Sequence, residues 1–435
     1  MSVTNFRSFK EPVEFDMTPS RERLSRALHV NQSPLANVLR LGLVYGSNSS
    51  GKSNLLKAVE FAKSLVTQGT PVKKQLNCPK FKLQKECLTS PSKFEFKFLF
   101  KDVLYSYAFE LGDDEILTEE LRARRGKQRE QSLFSRFSGG GDEHEFSFGG
   151  FTKDLEKEER QRLQFIGLGT RPNQLFLYES VERNVSYFRD AFDWFDRCVR
   201  IFTPQSISHG VEFRIGIDED FKEFLQENLK YFDPDVVSIV TKRDPASEIP
   251  ELSPRFLSEI EDQLDDEKAI QVVIPQSGRR FLLSMGEDGE VEALHLRAQH
   301  RCSSDGELIA FDLEDESDGT RRFLELAPLI YELSRPEECI VAFIDELDRS
   351  FHSGLTQMLL QNFLANQEAR HCQVVATSHD DSLMENDLFK RRDVLWRLRK
   401  EKGASRLHSL REYNLRHDKD IRKGLRNGEY DQPPS

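Results

Sequence analysis

Paired cysteines are missing from this sequence. Its six cysteines, Cys78, Cys87, Cys198, Cys302, Cys339 and Cys372, are scattered, and none forms a C-x-x-C pair. That argues against a zinc site and a disulfide framework, and the expectation is reduced thiols in a cytoplasmic protein. No apolar run reaches the roughly 18 residues of a membrane helix. The first residues show no basic stretch followed by an apolar one, so no secretory leader is expected either. Sustained heptads are absent, which excludes a long coiled coil. Positive charge is in the minority, with Lys+Arg 62 against Asp+Glu 74 and a net charge of −12. Such a chain has no global attraction for nucleic acid or an anionic membrane. The balance is uneven, however: residues 390–426 hold 14 Lys/Arg against 5 Asp/Glu, a local +9.

What remains is a chain of 435 residues, enough for one large domain with insertions or two to three smaller ones. Leu41–Tyr45 is a short apolar strand. Asn54–Thr67 places Leu55, Ala58, Val59, Ala62, Leu65 and Val66 on one side of a helix. Phe94–Phe100, Val103–Leu111 and Ile116–Arg124 read as successive strands, and Ser138–Gly150 as a Gly-rich loop or hairpin. Asn184–Ile201 is expected to be an aromatic-rich helix, with further helices over Phe221–Tyr231 and Phe256–Ile270. Thr320–Leu333 and Gly354–Ala365 are helical in pattern. Cys339–Ile344 and Val374–Thr377 are short apolar strands. Two distant segments can share one sheet when an insertion separates them. The expected division is 1–127, a first lobe with an antiparallel β region; 128–272, a mainly helical insertion; and 273–435, a second lobe.

Residues 46–54 read GSNSSGKSN and fit G-x-x-x-x-G-K-[ST] between a strand and a helix. In that pattern the glycines let successive backbone N–H groups face an anion. The following helix points its positive end at the same place. Gly46, Ser47, Asn48, Ser49, Ser50, Gly51, Lys52, Ser53 and Asn54 are therefore the expected cradle. Lys52 reaches the β- and γ-phosphates of ATP, and Ser53 ligates Mg²⁺. A phosphate loop needs a carboxylate for the metal and a group that positions water. The stretch ECIVAFIDELDRSFH supplies both at the end of an apolar strand, where ligands bind in open α/β sheets: Asp345 for Mg²⁺ and Glu346 as general base. His379 ends the strand of QVVATSHDDSL and is placed to contact the γ-phosphate or the attacking water. Ser317, Asp318, Gly319 and Thr320 open a helix, and Ser317 or Asp318 makes a good N-cap. The same geometry presents a second positive helix end. In a head-to-tail dimer it could close over the partner's γ-phosphate.

These elements, in this order, resemble the ABC-type ATPase heads of the Rad50, SMC and OLD class. Gly46–Ser53 matches Walker A, Ser317–Thr320 the signature motif, Asp345–Glu346 Walker B, Asp348 the D-loop and His379 the H-switch. SDGTRRFLELAPLI in place of LSGG is most similar to the AAA-15 branch, which includes AbiLi/RloA-like proteins and the AriA ATPase of the PARIS anti-phage system. VTNFRSFKEPVEFDM, NQLFLYES and LRNGEYDQPP carry the same resemblance. It implies an α/β fold, a two-lobed head with a mixed β-sheet core, flanking helices and a helical insertion. It also implies ATP-driven self-association with two nucleotides held between heads, and it makes Arg7 of NFRSF a candidate nucleotide contact. Gln84, Gln131 and Gln174 are candidates for the Q-loop glutamine.

The chain continues for about 50 residues after His379, too few for the Toprim nuclease that OLD proteins append. The expected partners are therefore a second copy, a separate Toprim-like nuclease and a phage-encoded trigger. DNA is a further candidate, through Arg391, Arg392, Arg397 and Arg399. The alternative reading is a repair or chromosome-associated ATPase that clamps DNA directly.

Overall fold

The computed structural model describes residues 1–72, 75–138, 144–203, 211–264, 269–275, 277–286, 288–336, 339–385, 387–413 and 420–430. Part of the Gly-rich stretch, residues 265–268 of the expected helix Phe256–Ile270 and the tail 431–435 lie outside them, and Ile270 itself opens a strand instead of ending that helix. Contacts divide the chain into two compact units: Met1–Pro204, Pro336–Leu347 and Leu360–Ser435; and Gln205–Arg335 with Asp348–Leu359. The units follow contacts rather than the chain order of the three expected segments. The segment 128–272 supplies strands as well as helices to both.

The first unit is built on a six-stranded sheet in the order Val199–Phe202, Val341–Ile344, Gln373–Ser378, Leu41–Tyr45, Leu395–Glu401, Ala404–Ser409. The first five run parallel and the last is antiparallel to its neighbour. Leu41–Tyr45 pairs with Gln373–Ser378 across more than 300 residues of sequence. All five residues of Leu41–Tyr45 are buried, as a strand covered on both faces requires.

Arg40 anchors the start of that strand. It is 1% exposed, and its guanidinium donates to the carbonyls of Leu28, Phe363, Leu364, Asn366 and Ala369. Four of these carbonyls lie at and just after the end of helix Ser353–Ala365, where carbonyls lack intrahelical partners. Burial lowers the pKa of Arg40 to about 10.

Helix Lys52–Gln68 follows Leu41–Tyr45, and its Leu55, Leu56, Ala58, Val59, Ala62, Leu65 and Val66 are buried. A seven-stranded antiparallel sheet belongs to the same core, in the order His144–Phe148, Gln131–Ser138, Ile116–Arg125, Val103–Leu111, Ser92–Phe100, Ser2–Thr4, Val13–Glu14. Its Ser92–Phe100 strand turns Phe94, Phe96, Phe98 and Phe100 inward and Glu95 and Lys97 outward, the period of a half-buried strand. Phe61 of the helix stacks on Phe94 with centroids 5.6 Å apart. Phe98 stacks on Trp194 at 4.1 Å.

The expected helix over Asn184–Ile201 is a correction. Helical turns cover Ser186–Cys198 in three short pieces, and Val199–Phe202 is the edge strand of the six-stranded sheet. A four-residue stretch such as VRIF cannot be assigned to strand or helix by its period. Its parallel partner Val341–Ile344 decides the outcome.

The second unit holds a five-stranded antiparallel sheet: Val236–Pro245, Val291–Arg301, Arg280–Met285 and Ile270–Val273 in order, with Leu308–Asp312 also on Val291–Arg301. Helices Glu219–Phe232 and Asp318–Ser334 pack in one core with it, with Phe221 edge-on to Tyr331 and Phe232 stacked on Phe323 at 4.1 Å. No helix among the described residues is long and apolar enough to cross a membrane.

Candidate nucleotide-binding site

The glycines of the loop at 46–53 are required by space and by backbone. A Cβ at Gly46 would lie 2.5 Å from the Leu398 carbonyl oxygen, and one at Gly51 2.4 Å from Ser405 Oγ. Gly51 has φ 108°, which disfavours any side chain. Lys52 is 6% exposed. Its Nζ donates to the carbonyls of Gly46 at 2.8 Å and Ser47 at 3.3 Å, so the ammonium holds the loop closed over the helix start. The back of the loop is braced by residues the sequence reading did not single out. Ser405 Oγ donates to the Ser50 carbonyl at 2.6 Å and lies 2.8 Å from Ser8 Oγ, and Asn54 Nδ2 donates to Ser8 Oγ at 2.8 Å. The hydroxyl of Ser50 is buried without a hydrogen-bond partner. A buried orphan hydroxyl inside a ring of closely fitted glycines suits an anion that the loop would wrap.

The parallel sheet brings the second group alongside. The strands ending in Ser378 and Tyr45 are neighbours, and so are those ending in Ile344 and Ser378. Strand spacing of about 4.8 Å puts the acidic pair roughly 10 Å across the sheet from the loop strand. Asp345 is 3% exposed, with its N–H donating to the Phe202 carbonyl at 2.7 Å. Thr377 joins the two acids. Its Oγ1 donates to Asp345 Oδ1 at 2.6 Å and accepts from the Glu346 N–H at 2.8 Å. Leu347 N–H donates to the Thr377 carbonyl at 3.0 Å. These bonds hold Glu346 at φ 50°, a left-handed backbone for a non-glycine residue, which costs of order 1–3 kcal/mol and clusters at functional sites. Thr377 was legible only as a strand residue, because its role depends on which strand is its neighbour.

His379 is exposed at the end of the same strand, one residue past Ser378. Ser53 is half-buried in the first turn of the helix, and Arg7 is exposed on a turn at φ 49°, tied to the Pro79 carbonyl through its N–H at 2.6 Å. Among the described residues no group of three or more His, Cys, Asp or Glu forms a metal cluster. A carboxylate, Asp345, and a hydroxyl, Ser53, are a donor set for a hard cation that keeps water and phosphate oxygens as its other ligands.

The glutamine candidates separate. Gln174 is fully buried, and its Oε1 accepts from the Thr70 N–H at 2.8 Å, beyond the far end of the 17-residue helix Lys52–Gln68. At 1.5 Å per residue that is about 25 Å from Lys52, so Gln174 cannot serve a metal at the loop. NQLFLYES is thereby a structural motif. Buried Glu119 accepts from the N–H groups of Phe176 and Leu177 and from the Tyr107 hydroxyl, and burial raises its pKa despite Arg136. Gln174→Ala is expected to lower stability by about 1–3 kcal/mol through the Thr70 N–H left unpaired and to leave nucleotide binding unchanged, read by thermal denaturation and by titration with a fluorescent ATP analogue. Gln131 is exposed at the start of its strand. Gln84 precedes the short helix Lys85–Thr89, in a segment tied to the NFRSF turn by the Phe81 N–H on Asn5 Oδ1 at 3.2 Å.

Ser317–Thr320 and Asp348 belong to the second unit. Ser317 is the N-cap of helix Asp318–Ser334, its Oγ accepting from the Thr320 N–H at 3.1 Å. Asp318 is exposed and paired with Arg321. A Cβ at Gly319 would meet the Ser350 carbonyl at 3.1 Å, so the helix start rests on the turn that Asp348 opens. The side chain of Thr320 is fully buried, its Oγ1 donating to Asp233 Oδ2 at 2.8 Å.

Several cations of the basic stretch are paired within the first unit. Arg391 is fully buried, bonded to both oxygens of Asp393 and to the carbonyls of Glu22 and Leu24. Burial disfavours the Asp393 carboxylate, yet Arg391 holds its pKa below the usual value. Arg411 pairs with Asp16, Arg422 and Arg426 with Asp381, and Arg406 with Glu401. Arg399 is 12% exposed along its side chain, and Arg392 and Arg397 are half-buried. Arg391 is therefore a core residue and not a phosphate contact.

The loop, the paired acids and the parallel sheet define a P-loop ATPase of the ABC/AAA type. The family model for an AAA domain, described as a putative AbiEii toxin of a Type IV TA system, matches residues 43–385, and the chain belongs to that family. A search of curated proteins finds no match. Among solved structures, the SMC head domain from Thermotoga maritima is similar at 14% identity and TM-score 0.32, covering 94% of this chain and 97% of that one. The recombination mediator protein RecF with ATP is similar at 12% identity and TM-score 0.33, covering 94% and 96%.

Proposed function

We propose that this chain is an ATP-hydrolysing head that works in bacterial anti-phage defence, within the AAA-15 branch. It binds ATP with Mg²⁺ and associates with a second copy. In the cytoplasm it restrains a separate Toprim-like nuclease until a phage-encoded trigger releases it. The observation that carries the ATPase reading is the Thr377 bridge, which fixes Asp345 and Glu346 from the strand lying between theirs and that of the closed Lys52 loop. The family's toxin–antitoxin description supports the defence reading. In this scheme Gly46–Asn54 cradle the phosphates, Ser53 and Asp345 hold Mg²⁺, and Arg7 flanks the nucleotide. Glu346 takes the proton of the attacking water, and His379 contacts the γ-phosphate. Ser317–Gly319 and Asp348 come from the second copy. Mg²⁺ supplies charge neutralisation on the phosphates.

Light scattering of the purified chain with and without ATP and Mg²⁺ tests the shared site. A nucleotide-dependent increase in mass is expected, and an unchanged mass would remove the second copy from the site. Thr377→Val separates positioning from binding. It removes both bonds of the bridge while keeping the volume, so phosphate release should fall about 10- to 100-fold, with ATP affinity within about threefold of wild type. Normal turnover would show that the bridge does not place Glu346.

A further inference from the structure

The start of helix Asp318–Ser334 carries a hydrogen-bond chain whose direction is fixed by chemistry. Thr320 Oγ1 donates to Asp233 Oδ2 at 2.8 Å. A carboxylate only accepts, so the single hydroxyl hydrogen of Thr320 is committed there. Thr320 Oγ1 and Ser317 Oγ are also 2.8 Å apart. With the Thr320 hydrogen spent, that bond requires Ser317 to donate. Ser317 Oγ meanwhile accepts from the Thr320 N–H at 3.1 Å. The exposed serine therefore turns its one hydrogen inward. Asp233 is itself set in place: it ends helix Glu219–Phe232, its Oδ1 accepts from the Asp235 N–H at 3.2 Å, and the preceding Phe232 stacks on Phe323 of the same helix that Ser317 caps.

We propose that Asp233 is a positioning residue that withholds the Ser317 hydroxyl hydrogen, so that the signature serine must leave the Asp233–Thr320–Ser317 relay before it donates to a phosphate on a second copy. This rests on the shared-site reading above. The relay makes ATP-driven association less favourable than the bare motif would allow, and it gives the segment carrying Asp233 control over it. Movement of the end of helix Glu219–Phe232 would free Thr320, let Thr320 donate to Ser317, and turn the serine outward.

The test uses the full chain carrying Glu346→Gln, so that ATP persists, and reads the ATP concentration at half-association by light scattering. Asp233→Ala and, separately, Thr320→Val break the relay at different links. Thr320→Val keeps the buried shape and leaves Asp233 in place, so it decides the matter if Asp233→Ala folds poorly. Each should lower the midpoint about three- to tenfold, the worth of one neutral hydrogen bond. On a Ser317→Ala background neither should shift it, since no hydroxyl remains to release. A midpoint unmoved by both variants, a rise, or a shift that persists with Ser317→Ala overturns the relay while leaving the shared site standing. A parent protein that never associates with ATP overturns both.

Discussion

Glu346→Gln is expected to bind ATP as the wild type does, to lose about 10²- to 10⁴-fold in phosphate release, and to accumulate as the associated form when ATP and Mg²⁺ are added. The size follows from removing a general base. The retention of binding follows from where Glu346 sits. Its backbone N–H on Thr377 and its φ of 50° belong to the turn, not to the carboxylate, and glutamine keeps both. Asp345 holds its own bond to Thr377, so the expected metal carboxylate is undisturbed. Glu346→Gly would relax the backbone and still lack a base, so it should be equally slow in hydrolysis, with a stability equal to or above that of wild type. Single-turnover phosphate release, with mass measured in parallel, checks this. Normal turnover in Glu346→Gln would remove the general-base assignment.

How far the sequence reaches is shown by the elements around that turn. The strand Leu41–Tyr45, the helix after the loop and the strand before Asp345 are readable because their apolar periods are sharp and their punctuation is glycine and acid. The strand Val103–Leu111 is found at its sequence-derived limits, since alternation over nine residues has one solution. Val199–Phe202 is not readable in the same way. It continues a helical, aromatic stretch, and only the pairing with Val341–Ile344 makes it a strand. The site divides along the same line. Gly46, Gly51, Lys52, Asp345 and Glu346 are legible because their chemistry is local to a motif. Thr377, Ser8 and Ser405 are not, because each acts on residues more than 30 positions away. A serine or threonine on a strand gives no signal of which backbone it will meet. Charge density misleads for a related reason. Residues 390–426 are basic as a string, but Arg391 is buried against Asp393, and Arg411, Arg422 and Arg426 are paired with Asp16 and Asp381.

Lys52→Ala is expected to weaken ATP binding by about 100-fold or more and to abolish the nucleotide-dependent change in mass. Two losses add. One is the charge-assisted bond to phosphate, worth about 1.5–3 kcal/mol. The other is internal: Lys52 Nζ holds the carbonyls of Gly46 and Ser47, and without it the loop loses the ammonium that draws those carbonyls together. Lys52→Arg isolates the second effect, since it keeps the charge. A guanidinium is planar and wider than an ammonium, and the loop has little room, with a Cβ at Gly46 already meeting Ser50 Oγ at 2.4 Å. Arginine should therefore rescue little of the loss, with binding still down by about tenfold or more. Titration with a fluorescent ATP analogue, set beside thermal denaturation to confirm folding, distinguishes the cases. Full rescue by arginine would show that charge alone holds the nucleotide and that the closed loop is a consequence of sequence, not a requirement of binding.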